Sequence, residues 1–120
     1  MTNKEVYTRL YDMLSSISSL SGFYIGKSED VERRRKEHWY EEGFSETIVI
    51  AHSDPTRITA LECYLIKEFL KSNIADKCEN KQIGGGNEEK PDYLYVALRF
   101  IPRQDKELDD NDIDWDVCEL

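Results

Sequence analysis

A tyrosine, two arginines and a histidine in the first third of the chain have types and spacing that suit phosphate chemistry. Tyr24 lies on a short apolar segment that ends in a predicted turn. Arg34, Arg35 and His38 follow Val31 at positions i+3, i+4 and i+7, so they share one face of a predicted helix. Cations that face a buried strand beside a tyrosine indicate an anion site, and phosphate is the common biological anion that guanidinium groups bind.

A glutamate on the apolar face of a later predicted helix is the second chemical signal. Glu62 lies four residues after Ile58 and four before Ile66, in the middle of that helix's apolar stripe. A buried carboxylate without a partner costs several kcal/mol, so we expect a partner for it. Three are open: a salt bridge to Arg34 or Arg35, a shared proton, or a hard cation such as Mg²⁺ or Mn²⁺.

The length and composition predict one globular domain that does not span a membrane. A chain of 120 residues can form a single core. No run approaches the ~18 apolar residues of a membrane span, and the N-terminus lacks a signal-peptide pattern. The three cysteines have no metal-ligand spacing. We therefore expect reduced thiols and an intracellular protein, either cytoplasmic or, in a eukaryote or a virus, nuclear.

The net charge of −9 is concentrated at the C-terminal end of the chain. Residues 105–120 contain eight acids and one lysine, whereas residues 1–104 contain 17 acids and 15 bases. Long-range attraction to nucleic acid would be weak, so binding would depend on a local basic patch. The best candidates for that patch are Lys27, Arg33, Arg34, Arg35 and Lys36. A further hypothesis is that the acidic tail covers the patch by imitating a phosphate backbone.

Hydrophobic periodicity predicts three helices and three strands. In chain order these are a helix over 4–20, a strand over 22–27, a helix from Ser28 as N-cap to about 42, a strand over 47–51, a helix over 55–71 and a strand over 93–101. The last strand alternates, which predicts one face on a core. We expect an α+β (α/β) fold, a small, mostly antiparallel three-stranded sheet flanked by helices, in a single domain over 1–104. The acidic tail over 105–120 is predicted to be disordered or loosely packed, although Ile113, Trp115 and Val117 alternate and could dock.

These residues resemble the GIY-YIG nuclease family over roughly residues 22–86. Four elements in the family's order carry the resemblance: Tyr24-Ile25-Gly26 as YIG, Arg34 and His38 at the family's spacing, Ala60-Leu61-Glu62 as the metal-binding helix, and Asn80 ahead of Gly84-Gly85-Gly86. The resemblance implies an endonuclease that hydrolyses phosphodiester bonds, in DNA rather than RNA, with one Mg²⁺ or Mn²⁺ held by Glu62. It implies catalytic roles for Tyr24, Arg34, His38, Glu62 and Tyr95, and substrate binding by Lys27, Arg33, Arg35 and Asn80. In that scheme Arg34 stabilises the phosphate, and Tyr24, helped or replaced by His38, activates water.

One element of the family is missing, and its absence leads to a hypothesis of circular permutation. The GIY strand should precede YIG, yet those positions fall inside the first predicted helix. The only similar segment is the strand at 93–101, which would put Tyr95 in the place of the GIY tyrosine. Alternatively, this strand is merely added to the sheet and the first strand is lost. Permutation requires a tyrosine hydroxyl from residues 93–95 near Tyr24 and Arg34.

A catalytically inactive domain of the same fold, which binds nucleic acid or a protein, is the alternative function. The acidic composition and the missing first element favour it. The presence of Tyr24, Arg34 and Glu62 opposes it, because binding alone does not explain an acid in the middle of an apolar stripe. In either case, a specific protein of this size would need a dimer or a partner protein to supply specificity.

Overall fold

The computed structural model describes residues 1–81, 90–101 and 115–120. The elements are α1 (Asn3–Ser15), β1 (Leu20–Ser28), α2 (Val31–Glu37), a π-helical turn (His38–Glu42), β2 (Glu46–His52), α3 (Pro55–Leu70), a 3₁₀ turn (Ala75–Lys77), β3 (Tyr93–Phe100) and β4 (Cys118–Glu119). This arrangement confirms the expected α+β fold. The glycine-rich element at 84–86, and the part of the acidic tail over 105–114 that includes Ile113, lie outside the described residues.

The sheet has four strands in the order β1-β3-β2-β4. The central strand β3 runs antiparallel to both β1 and β2, and β4 adds a short parallel pairing to the outer side of β2. The expected three-stranded sheet is therefore corrected to a four-stranded one. The added strand comes from the end of the acidic tail, where Cys118 is buried opposite Ala51. Trp115 anchors this end, because its indole N–H donates to the Ile50 carbonyl oxygen over 3.1 Å.

The main apolar core lies between one face of the sheet and the helices α1 and α3. Its members from the sheet and the two helices include Val6, Leu10, Leu14, Phe23, Ile25, Ile58, Leu61, Leu65, Phe69, Leu94, Val96 and Leu98. The helix α2 packs against the three long strands, and contacts from α2 and the π turn to Tyr95 place both on the opposite face. The expectation that β3 buries one face is corrected, because Tyr95 and Ala97 are as fully buried as Val96. A central strand is covered on both faces, and the face under α2 carries the polar groups.

The first helix is shorter than predicted, and the reason lies in its serines. Thr2 and Glu5 form a reciprocal capping box at its start, and the helix ends at Ser15 rather than at residue 20. Serine hydroxyls compete for backbone groups and disfavour helix interiors. Leu20 instead begins β1, where it pairs with Phe100 of β3. Because α1 ends early, β1 begins at Leu20 rather than at the predicted residue 22, and the strand is longer than expected.

The chain enters α2 through a cap that differs from the predicted one. Ser28 is the last residue of β1, and its hydroxyl accepts the backbone N–H of Asp30 over 2.9 Å. Asp30 is the N-cap, since its carboxylate accepts the N–H of Arg33 over 3.1 Å. Gly43 ends the π turn in the left-handed conformation with a φ of 77°, as expected for a glycine after a helix.

The helix that carries Glu62 begins as the sequence predicts. Asp54 accepts the N–H of Arg57 over 3.0 Å, Pro55 occupies the first turn, and α3 runs to Leu70.

Among the described residues, no helix is both long enough and apolar enough to cross a membrane.

Candidate active site

The hydroxyl of Tyr95 is the centre of the candidate site. It lies 3.3 Å from Nε of Arg34 on α2 and 3.0 Å from Nε2 of His38 in the π turn. These residues are 61 and 57 positions away in the chain, so only the fold brings them together. The hydroxyl of Tyr95 contacts Arg34, and the rings of Tyr95 and Tyr24 lie 5.4 and 5.6 Å from the His38 ring between centroids. Circular permutation remains a hypothesis.

A glycine on the neighbouring strand makes room for Tyr95. Gly26 of β1 pairs directly with Tyr95 of β3. A Cβ atom at position 26 would overlap the hydroxyl group and Cζ of Tyr95 and lie 2.9 Å from its Cε1. The last residue of the Tyr24-Ile25-Gly26 element therefore has a steric role that the sequence did not assign. A glycine inside a strand is itself a signal for such a close approach.

The donors and acceptors at Tyr95 can be assigned from its partners. Burial raises the pKa of Tyr95 to about 12, against the effect of its hydrogen bond with Arg34, so the phenol remains protonated. A guanidinium can only donate, so Arg34 donates to the phenol oxygen. We assign the phenol O–H as the donor to Nε2 of His38, which places the proton of the neutral imidazole on Nδ1.

The surroundings of His38 agree with a neutral ring. Burial lowers the pKa of His38, and the positive charge of Arg34 acts in the same direction, while Glu42 acts against both. Oε1 of Glu42 lies 3.2 Å from Nδ1 of His38. Nδ1 has no partner with hydrogen-bond geometry, and the charge of Glu42 acts on the ring by favouring its protonated form. Glu42 was not among the predicted site residues, although its position four residues after His38 places both on one helical face.

Tyr24 contributes a second phenol with different surroundings. Its ring centroid lies 5.6 Å from that of His38 and 6.5 Å from that of Phe44. No group in the described ranges hydrogen-bonds to its hydroxyl, in contrast to the hydroxyl of Tyr95. Burial raises the pKa of Tyr24, Arg34 lowers it, and the charge of Glu62 raises it. Tyr24 is thus the phenol open to an external partner, and the charges of Arg34, Glu62 and Glu42 all act on its pKa.

Glu62 is buried on α3 as predicted, with an exposed fraction of 4%. Its ion-pair partner is Lys27 rather than Arg34 or Arg35, so the arginine salt bridge, one of the three open alternatives, is excluded. Nζ of Lys27 lies 3.5 Å from Oε1 of Glu62, but the oxygen has no partner with hydrogen-bond geometry. Burial raises the pKa of Glu62 and the charge of Lys27 acts against it. The carboxylate therefore has one oxygen that is only partly satisfied by protein.

The predicted basic patch is divided by the fold. Arg35 turns toward the sheet, where it donates to the Thr47 carbonyl oxygen over 2.8 Å and lies 3.3 Å from Glu32. Arg33 stays at the surface, with Nη1 3.8 Å from Glu37. Arg34 is the arginine that enters the site.

Asn80, predicted to bind substrate, holds the strand that carries Tyr24. Its side-chain oxygen accepts the N–H of Ile25 over 2.9 Å, and its side-chain nitrogen donates to the Ile25 carbonyl oxygen over 2.8 Å. Asn80 is buried and takes the place of a neighbouring strand at this edge of β1. Its amide thus fixes the backbone between Tyr24 and Gly26.

Among the described residues, the candidate for holding a metal ion is the carboxylate of Glu62. Within residues 1–81, 90–101 and 115–120, no three histidine, cysteine, aspartate or glutamate side chains gather into a metal-binding group. A buried carboxylate oxygen without a hydrogen-bond partner, at Glu62, fits a hard cation that keeps water and substrate oxygens as its other ligands. Lys27 now stands at that oxygen.

The site around the Tyr95 hydroxyl combines a cation, two phenols and a neutral imidazole. The carboxylate of Glu62 lies with Lys27 on the side of the sheet that faces α3, and its charge acts on Tyr24. Such groups can bind a phosphate, polarise it and accept or hold a proton beside it. Comparison of the chain with family models, with curated proteins and with solved structures gave no match.

Proposed function

We propose that the chain is a metal-dependent endonuclease of the GIY-YIG type, which hydrolyses phosphodiester bonds in nucleic acid, in DNA rather than RNA. The observation that carries the proposal is the Tyr95 hydroxyl, which joins Arg34 and His38 next to Tyr24. The sheet order supports a circularly permuted arrangement. The strand with Tyr95 is central and pairs antiparallel with the strand of Tyr24 along its length, so it can take the role of the missing first strand.

Arg34 binds the phosphate and stabilises the charge that builds on it. Nε of its guanidinium donates to Tyr95, and Nη1 donates to Glu37 over 2.8 Å. Burial acts to lower the pKa of Arg34, but its hydrogen bond with Tyr95 and the charges around it raise the pKa, so the group remains a cation. Two of its nitrogens are held, so the planar guanidinium has a fixed orientation for hydrogen bonds to a phosphate.

Tyr24 and His38 have different access to the attacking water. The proton-accepting nitrogen of His38 is taken by the Tyr95 hydroxyl, so His38 reaches water only through that hydroxyl. Tyr24 has the free phenol, and its phenolate would accept the proton of the water. Burial raises the pKa of Tyr24, so a positive charge next to the site is required for this step at neutral pH.

A divalent cation would supply the remaining part of the reaction chemistry. Glu62 is the residue that would hold one Mg²⁺ or Mn²⁺, which would supply Lewis-acid stabilisation of the charge on the phosphate and on the leaving oxygen. The protein's own part is to keep the carboxylate buried on α3 and close enough to Tyr24 for its charge to act on the phenol.

The proposal is tested by cleavage assays with plasmid DNA, single-stranded DNA and RNA in the presence of Mn²⁺ or Mg²⁺. We expect the wild type to cleave, and Arg34→Ala and Glu62→Gln to lose about 10²-fold or more in rate. Glu68→Gln is the matched control, because Glu68 lies on the same helix and pairs with Lys71 at 3.8 Å. Its rate should equal that of the wild type.

Two outcomes would contradict the proposal. Cleavage that survives in Glu62→Gln would come from a contaminant or from another site. Binding of nucleic acid by the wild type without any metal-dependent cleavage would favour the alternative, an inactive binding module.

A further inference from the structure

The ion pair of Lys27 and Glu62 has a geometry that bears on how the site loads its cation. Lys27 Nζ lies 3.5 Å from Glu62 Oε1, and that oxygen has no hydrogen-bond partner. The same ammonium lies 3.5 Å from the hydroxyl of Thr59, one turn earlier on α3. Both side chains of the pair are largely buried, with 10% and 5% of their surface exposed. Lys27 thus stands at the carboxylate oxygen that a divalent cation would bind.

We propose that Lys27 is a resident counter-ion of Glu62 that a divalent cation must displace, and that Lys27 thereby lowers the affinity of the site for Mg²⁺ or Mn²⁺. The inference rests on the proposed function, because Glu62 is the carboxylate that would bind the ion there. It adds a competition between two cations for one oxygen.

Displacement follows from charge. An ammonium and a divalent cation at one oxygen repel each other, and the repulsion is several times stronger in a partly buried site than in water. The four-carbon stem of a lysine is flexible, and Lys27 stands one residue before the end of β1, so Nζ can move without a change in the sheet.

Lys27 also acts as the counter-charge of Glu62 in the metal-free protein. A buried carboxylate without a counter-charge costs several kcal/mol, and Lys27 reduces that cost for Glu62. Once displaced, the ammonium stands beside the site as a free cation. A phosphate oxygen of the substrate is then a suitable new partner for it.

The inference is tested by measuring Mn²⁺ binding by titration calorimetry at pH 7.5. We expect Lys27→Met to bind Mn²⁺ on the order of tenfold more tightly than the wild type, equivalent to about 1.4 kcal/mol. Lys71→Met is the matched control, since Lys71 is exposed, pairs with Glu68 at the end of the same helix and lies about 13 Å of helix from Glu62. Its affinity should match that of the wild type.

The outcomes separate this inference from the proposed function. If Lys27→Met binds Mn²⁺ no more tightly than the wild type, while Glu62→Gln abolishes binding in both backgrounds, the competition is wrong and the ion site stands. If neither the wild type nor Lys27→Met shows binding that depends on Glu62, both the competition and the proposed ion site are wrong.

A second measurement needs no substitution, so it decides the question even where Lys27→Met does not fold. The wild type is treated with formaldehyde and a mild reductant, and methylation of each lysine is followed by mass spectrometry. Lys27 should react slowly without metal and at least severalfold faster with saturating Mn²⁺, whereas Lys71 should react at one rate. An unchanged rate at Lys27 with Mn²⁺ bound would overturn the displacement.

Discussion

Replacement of Tyr95 by phenylalanine removes one oxygen atom from the centre of the site and leaves the ring in place. The oxygen accepts from Arg34 over 3.3 Å and donates to His38 over 3.0 Å. Both the ring of Tyr95 and the ring of His38 are buried, so water does not readily replace the lost partner. Tyr95→Phe therefore tests whether this hydroxyl holds the arginine and the histidine together.

The expected loss of stability is about 2 kcal/mol. A buried acceptor left without a donor costs about 1–3 kcal/mol, and this applies to Nε2 of His38. The hydrogen bond to Arg34 is charge-assisted but long, so its loss adds at most about 1 kcal/mol. Phenylalanine avoids the desolvation cost of a buried hydroxyl, and this offsets part of the lost free energy of unfolding.

Two measurements check this expectation. Urea denaturation gives the change in the free energy of unfolding, with Tyr93→Phe as the control. Tyr93 lies on the same strand, but its ring packs against His52 at the end of the sheet, so its replacement should cost less than about 0.5 kcal/mol. Nitrogen-15 NMR of His38 should show the proton on Nδ1 in the wild type and a mixture of tautomers in Tyr95→Phe.

The reasoning would be refuted by a small effect. A loss below about 0.5 kcal/mol, with the tautomer of His38 unchanged, would mean that the Tyr95 hydroxyl does not donate to the imidazole. The assignment of separate roles to the two phenols would then fail as well, because it depends on Tyr95 being engaged.

Three further predictions concern the groups around this centre. Gly26→Ala should destabilise the fold by about 1–3 kcal/mol in urea denaturation, because its Cβ overlaps the ring of Tyr95; a neutral effect would contradict that packing. Burial lowers the pKa of His38, so the unfolded state takes up a proton first, and the wild type should lose stability relative to His38→Gln as the pH falls through about 6.5 toward the lower folded-state pKa. A difference that is constant from pH 8 to pH 5 would exclude a buried neutral imidazole. Asn80→Leu should cost about 2–4 kcal/mol and speed hydrogen exchange at the Ile25 amide, since two backbone groups of β1 lose their partners; unchanged exchange would refute the contact.

The features of the site that depend on local patterns were predictable. The cap and first turn at Asp54 and Pro55 started α3 where expected, and the apolar stripe placed Glu62 inside it with the burial that the structure has. The shared face of α2 was also correct, because Val31 and His38 are both buried. In each case the signal spans only a few turns of one element, so it needs no knowledge of the tertiary fold.

The partner of Glu62 depends on how α3 packs against β1, which the helical periodicity of α3 alone does not determine. The alternation of β1 nevertheless contained a signal. Lys27 has the same parity as Phe23 and Ile25, which face the core that α3 shares, so its side chain leaves the strand toward the helix of Glu62. The arginines of α2 lie on the other face of the sheet, where they contact Tyr95 and Thr47. Strand parity alone therefore favours the lysine over the arginines.

The register of β3 and the docking of β4 could not be derived in this way. The sequence identified β3 as a strand, but its central position depends on pairing with β1 and β2, which are distant in the chain. The strand β4 has only two residues, and so short a segment has no periodicity. Its docking depends on tertiary contacts, above all those of Trp115, whose ring also packs under the guanidinium of Arg9 at 4.4 Å.

The charges of the site are balanced within the free protein, and this balance has a consequence for function. Lys27 is paired with Glu62 and Arg34 with Glu37, so neither cation waits unpaired for a ligand. These contacts offset part of the desolvation cost of the buried charges when metal and substrate are absent. A phosphate and a metal ion, however, must each replace an existing partner, and the replacements help each other, since a cation at Glu62 releases an ammonium that a phosphate can bind. We therefore expect the site to bind metal and phosphate together more tightly than either one alone.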